Sequence, residues 1–149
     1  MGLTGEDFQN TNPNFGTVTF NYTDGYQEVT PISVTVTITG DHLTVGYDGQ
    51  AHTLANDFTA VASGEKSDLY NVNSDFSYSP NPPEGAIVED MIYAVKRTNA
   101  GTTNLGLAKE QFINTNKSFI VTFVVVDGYL TITKATATVT ADKQSKVYG

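Results

Sequence analysis

The chain contains no cysteine and no tryptophan, and no lysine or arginine precedes Lys66. Without cysteine there is neither a disulfide framework nor a thiolate metal site, although the compartment stays open, since many exported bacterial proteins also avoid it. Without tryptophan the largest ring platform for a sugar is missing. The first 65 residues carry eight carboxylates and no counter-charge, and the net charge is −8. Phosphate binding needs a basic footprint, so nucleic acid is excluded as an expected partner. The acidic half reads as a solubilising, self-repelling surface. No apolar run reaches the length of a membrane span and no signal-peptide pattern opens the sequence, so no membrane insertion is expected of this stretch. Gly-x-Ser-x-Gly, phosphate-loop and His-Glu-x-x-His motifs are likewise missing.

What is present is Thr, Val, Asn and Tyr, a mixture suited to pleated, half-buried surfaces. At 149 residues the chain is one domain, or one domain with pieces of its neighbours. Self-similarity decides between these. GLTGEDFQNTNPNF at 2–15 matches GLAKEQFINTNKSF at 106–119, and after Gly16 residues 17–37 continue against 120–140. Of 35 aligned pairs 18 are identical, where unrelated sequences would give ~2, so the chain repeats at whole-domain length. Met1 precedes what reads as mid-module and is expected to be an added start residue.

Strand patterning sets the expected boundaries. In 129–141 the apolar positions move from even (Leu130, Ile132) to odd (Ala135, Ala137, Val139). In the earlier copy Val29 gives way to Ile32, Val34, Val36 and Ile38. Side chains alternate faces, so such a switch means a bulge, a bend or a hand-off to another sheet. It falls at Thr30–Pro31 and Thr133–Lys134, and proline suits a junction. The expected organisation is 1–33 as the end of a preceding repeat, 34–134 as a complete module, and 135–149 as the first strand of the next.

Predicted strands are 17–23, 32–39, 43–47, 51–54, 58–62, 75–79, 91–97, 103–107 and 119–126, and the stretch 129–141 changes strand register at Thr133–Lys134. The run FIVTFVVV at 119–126 reads as buried on both faces. Asp24-Gly25 and Asp127-Gly128 read as type I′ hairpin turns. LAKEQF at 107–112 reads as one helical turn with Leu107 and Phe112 inward. Phe112, Phe119 and Phe123 are core candidates, with Phe8, Phe15 and Phe20 as their counterparts. The segment 2–33 is too rich in large apolar side chains to stay unpartnered, and is expected to pair with the module or with another molecule. The fold expected is mainly β, a compact antiparallel sandwich or β-grasp-like repeat with one short helix.

VTVTITG with YDGQAHT (34–40, 47–53), NAGTTNLGL (99–107) and FINTNKSFIVTFVVVDGYLTIT (112–133) stand in series within one module. This series resembles the YDG/MBG-type domain-length β repeats of bacterial cell-surface, adhesin-like and mucin-binding-like proteins. One departure is Thr103, where an aromatic residue is expected after Gly101-Thr102. The resemblance implies an extracellular, cell-wall-associated array module, with neighbouring repeats as partners and host glycans or glycoproteins as further ones. It also raises a Lys–Asn cross-link, for which Lys96 and Lys134 are the candidates.

Reactive chemistry is sparse. His42 and His52 are unclustered and read as structural or surface residues. The adjacent pairs Glu6-Asp7 and Glu89-Asp90 would diverge along a strand and make poor acid/base dyads. Asp24, Asp41, Asp48, Asp68, Asp75 and Asp127 fall in turns, where they could hold calcium but where Asp is also a turn former. The Asn-Thr-Asn triplets at 10–12 and 114–116 read as side-chain to backbone turn shapers. Tyr47, Tyr70 and Tyr78 are candidates for sugar stacking. No catalytic, cofactor or metal residue is assigned, and an enzyme is not expected. The leading reading is a spacer and low-affinity adhesive module; the alternative is a glycan-binding module with a specific site.

Overall fold

In the computed structural model, residues 2–89 and 92–149 are described, and the chain divides into two units, Met1–Thr30 and Pro31–Gly149. Asp90 and Met91, and with them part of the Glu89-Asp90 pair and the start of the 91–97 strand, lie outside the described residues, as does Met1.

The second unit is mainly β and sandwich-like. Its first strand, β1 (Ile32–Gly40), places Val34, Val36 and Ile38 on one buried face, as the i, i+2 spacing of β-branched residues dictates. After a bend at Asp41 the chain continues as β2 (His42–Gly46), β3 (His52–Ala55) and β4 (Phe58–Ser63). A 3₁₀ turn at Ser67–Leu69 leads to β5 (Phe76–Tyr78), and the proline-rich loop to β6 (Ile87–Glu89), β7 (Ile92–Arg97) and β8 (Gly101–Asn104). The expected helical turn is a 3₁₀ turn at Lys109–Gln111, with Leu107 and Phe112 buried on either side. It is followed by β9 (Phe112–Asn114), β10 (Phe119–Val126) and β11 (Tyr129–Thr133).

Among the described residues four small sheets result, in the orders β10-β1-β4, β2-β11-β8, β3-β7-β6 and β5-β9. Five of the pairings are antiparallel; β1 with β10 and β2 with β11 are parallel. The two parallel pairings share one unbroken register. Ile32 lies opposite Phe119 and Thr39 opposite Val126 in the first sheet, and His42 lies opposite Tyr129 in the next. The two chain segments therefore run side by side, leave one sheet together and enter another together.

That crossing corrects the hairpin expectation at Asp127-Gly128. β10 and β11 do not pair with each other, and Gly128 is not among the positive-φ glycines, whereas a type I′ turn needs positive φ at both central residues. Gly128 is there for space. A Cβ on it would strike the Asp41 carbonyl oxygen and Leu105 Cδ1, and one on Gly40 would meet the Gly128 amide and, at 2.7 Å, Leu107 Cδ1. Backbone bonds tie the crossing: Tyr129 N–H donates to Asp41 O at 3.1 Å, Leu105 N–H to Gly128 O at 2.8 Å, and Asp41 N–H to Asp57 O at 3.0 Å.

The core joins Val34, Val36, Ile38, Val95, Leu105 and Leu130 to an aromatic group. Phe112 is its hub, stacked on Tyr78 at 4.9 Å and edge-on to Phe58 and Phe76, while Tyr70 packs edge-on against Phe119. Phe112 and Phe119 are buried as expected; Phe123 is only partly buried, packed against Phe76 and Phe112. β10 also departs from expectation. It alternates, with Phe119 inward and Ile120, Val124 and Val126 exposed on an edge strand, so it is buried on one face only.

The first unit has no strand among its described residues, including the expected 17–23, and no buried residue. Phe8 stacks on Phe20 and Tyr22 at 5.7 and 5.9 Å, with a 3₁₀ turn at Gly5–Asp7. Residues 134–149 likewise form no strand and are exposed.

Candidate functional site

The repeat seen in the sequence recurs as hydrogen bonding. Asp127 accepts from Gly106 and Leu107 N–H at 3.0 and 2.8 Å, and Asp24 accepts from Gly2 and Leu3 N–H at 2.9 and 3.2 Å. Gly106 and Gly2 both hold positive φ there, at 82° and 74°, a conformation glycine adopts without a Cβ penalty. Asn114 Nδ2 donates to Phe119 O and its Oδ1 accepts from Asn116 N–H; Asn10 makes the same two bonds with Phe15 O and Asn12 N–H. Gln111 Oε1 accepts from Ala108 N–H, and Asp7 Oδ2 from Thr4 N–H, three residues back in each copy. The two Asn-Thr-Asn triplets are therefore side-chain to backbone turn formers.

Most of the candidate side chains are engaged in such local bonds. Asp75 accepts from Asn71 N–H and Asn116 Nδ2, which together hold its carboxyl below the usual carboxylate range. Asp48 is lowered by the Gln50 N–H and by His52 Nε2, 3.0 Å away. The backbone amides of Gly2 and Leu3 lower Asp24 in the same way. No group of three or more His, Cys, Asp or Glu converges among the described residues. Lys96 and Lys134 are exposed, without the burial a cross-linking lysine needs.

Of the three tyrosines singled out for sugar stacking, Tyr70 is buried. Its hydroxyl donates to Asp75 O and Asn114 Oδ1, and burial raises its pKa. Tyr78 is half-buried, stacked on Phe112 and bonded to Asn56 Nδ2. Tyr47 alone is exposed. Thr103 has a role that sequence reasoning missed. Arg97 grips the loop that ends there, donating from Nε to Asn99 O and from Nη2 to Ala100 O. Its Nη1 reaches Thr102 O and Thr103 Oγ1. Gly101, at φ 137°, leaves room for the guanidinium, which a Cβ would strike.

The outward face of the β2-β11-β8 sheet gathers an aromatic pair and a row of hydroxyls. Strand alternation turns His42, Tyr129 and Asn104 outward in one row and Thr44, Thr131 and Thr102 in the next. The His42 and Tyr129 rings stack at 5.4 Å, and the Thr102 and Thr131 hydroxyls bond at 2.8 Å. An aromatic platform beside a hydroxyl row can lie against a sugar ring and its hydroxyls. The signal for it was the alternation in HLTVG and YLTIT, legible only once the two strands are known to be neighbours. No helix among the described residues is long and apolar enough to cross a membrane. No protein-family model, no curated protein and no solved structure matches this chain.

Proposed function

We propose that the chain is an extracellular repeat module of a bacterial surface protein, serving as a spacer and as a weak adhesive surface repeated along an array, with no catalytic role. The observation that carries this reading is what recurs. The Asp24 and Asp127 cradles, the Asn10 and Asn114 turns and the positive-φ glycines are duplicated bond for bond, and all of them shape backbone. Neither histidine is duplicated with them. Repetition lets weak contacts add, so that no copy needs a deep pocket. The test compares the monomeric chain with the same chain tetramerised on streptavidin, over mucin and a glycan array. Retention of the tetramer, ~100-fold or more above the monomer, supports the reading.

The His42–Tyr129 stack favours a second reading, a glycan-binding module with one defined site. Binding of a single glycan class by the monomer at micromolar concentration, lost in Tyr129→Ala, would replace the spacer reading with this one.

A further inference from the structure

The internal repeat and the strand register together supply an interaction surface for a second copy of this chain. In the second unit β1 and β10 form a parallel pair, Ile32 opposite Phe119 through Thr39 opposite Val126. The sequence contains a second version of each strand. Residues 15–23, FGTVTFNYT, correspond to β10, and 135–142, ATATVTAD, correspond to β1. Neither version has a strand partner among the described residues. Phe15, Val18, Phe20 and Tyr22 are exposed, and so is the whole of 134–149.

We propose that residues 135–142 of one copy dock in parallel alongside residues 15–23 of another, joining copies head to tail. Transposing the β1–β10 register sets Ala137 opposite Val18, Val139 opposite Phe20 and Ala141 opposite Tyr22. These form one face, with Thr138 opposite Thr19 on the other. Gly16 is the one residue of the acceptor without a counterpart in β10, and a single extra residue beside a strand start is accommodated as a bulge. Strand addition gives the backbone amides and carbonyls of both segments ladder partners, and alternate side chains confer the register.

Charge fits the same occupant. The unit Met1–Thr30 carries Glu6, Asp7, Asp24 and Glu28 with no basic side chain, whereas 134–149 carries Lys134, Lys143 and Lys146 against Asp142 alone. Opposite net charge steers the donor tail toward an acceptor and away from another tail. Because the pairing is heterologous, each copy keeps a donor and an acceptor, and copies join into a ring where the rotation closes and into open chains where it does not. The inference rests on the repeat and the register, and holds whether or not the module is adhesive.

The experiment uses the 149-residue chain and two variants, Phe20→Asp in the acceptor and Val139→Asp in the donor. Sedimentation velocity at low salt, from about 10 µM to about 1 mM, covers the affinity open to a small interface. The wild type is expected to grow in mean mass with concentration, beyond dimer. Each variant alone is expected to stay monomeric, and their mixture to stop at a 1:1 dimer, since one intact acceptor meets one intact donor. A wild type that is monomeric throughout, as it would be if its tail docked on its own acceptor, overturns the proposal. So do variants that assemble as the wild type does. An independent readout uses the absence of native cysteine: Thr19→Cys with Thr138→Cys should oxidise to a ladder of covalent multimers. Circularised monomer alone would overturn head-to-tail joining.

Discussion

Gly128→Ala tests the central feature of the fold, the point where two parallel segments change sheets together. The added methyl meets the Asp41 carbonyl oxygen and Leu105 Cδ1, with Asp41 N at 3.0 Å. Leu105 is fully buried, so it has no rotamer to retreat into without displacing the core. Moving Asp41 away instead weakens the bonds from Tyr129 N–H to Asp41 O and from Asp41 N–H to Asp57 O. Two backbone bonds at about 1 kcal/mol each and an overpacking cost of about 1–3 kcal/mol give a loss of roughly 3–5 kcal/mol. Native stability is typically ~5–15 kcal/mol, so the variant should be visibly compromised at room temperature. Gly46→Ala is the control, because a Cβ there meets nothing within 4 Å. It should be neutral or stabilising by up to about 1 kcal/mol. The assay is urea unfolding followed by circular dichroism, with midpoints compared at constant slope. A Gly128→Ala midpoint within about 0.5 kcal/mol of wild type would show that the crossing is not close-packed, and would refute the reasoning.

Phe112→Ala should cost about 3–5 kcal/mol in the same assay, and Phe123→Ala clearly less, since Phe123 is only partly buried; equal losses would contradict the packing. Arg97→Lys should destabilise by roughly 1–2 kcal/mol, because an ammonium cannot reproduce four bonds from one planar fork; hydrogen exchange at Gly101–Thr103 should quicken, and unchanged rates would count against it. Asp24, Asp48 and Asp75 have lowered folded-state values. Their contribution is thus present above the ordinary 3.8 and lost as pH falls through the lowered values. Acid titration of Asp75→Asn should show a shallower stability decline below about pH 4 than the wild type; identical slopes would remove Asp75 from the account.

How far the fold could be read in advance depended on how local its causes are. β1 and β10 announced themselves through alternating or continuous β-branched residues, and the turn at Asn114–Asn116 through residue types that bond their own backbone. The parallel partnerships were not legible, because nothing near Ile32 indicates that Phe119 lies opposite it. That gap misled the reading of Asp127-Gly128, whose glycine serves a close approach between distant segments and not a local turn. The segment 17–23 has strand-like alternation but no strand, since alternation supplies a face and the ladder must come from elsewhere. Much the same holds for the candidate site. His42 read as a structural or surface residue and Tyr129 was not among the tyrosines singled out; their stacking follows from the β2–β11 register.

The shared register also has a mechanical consequence. The second unit begins its first strand at Ile32 and ends its last at Thr133, and these two ends belong to neighbouring parallel segments. Tension applied through them draws β1–β2 backward and β10–β11 forward along their common direction. The ladder bonds, evenly spaced in a parallel pair, are then strained all at once and cannot be peeled open one after another. Rupture must displace the whole ladder in a single cooperative event, so a module of this topology resists stretching more strongly than its modest size suggests.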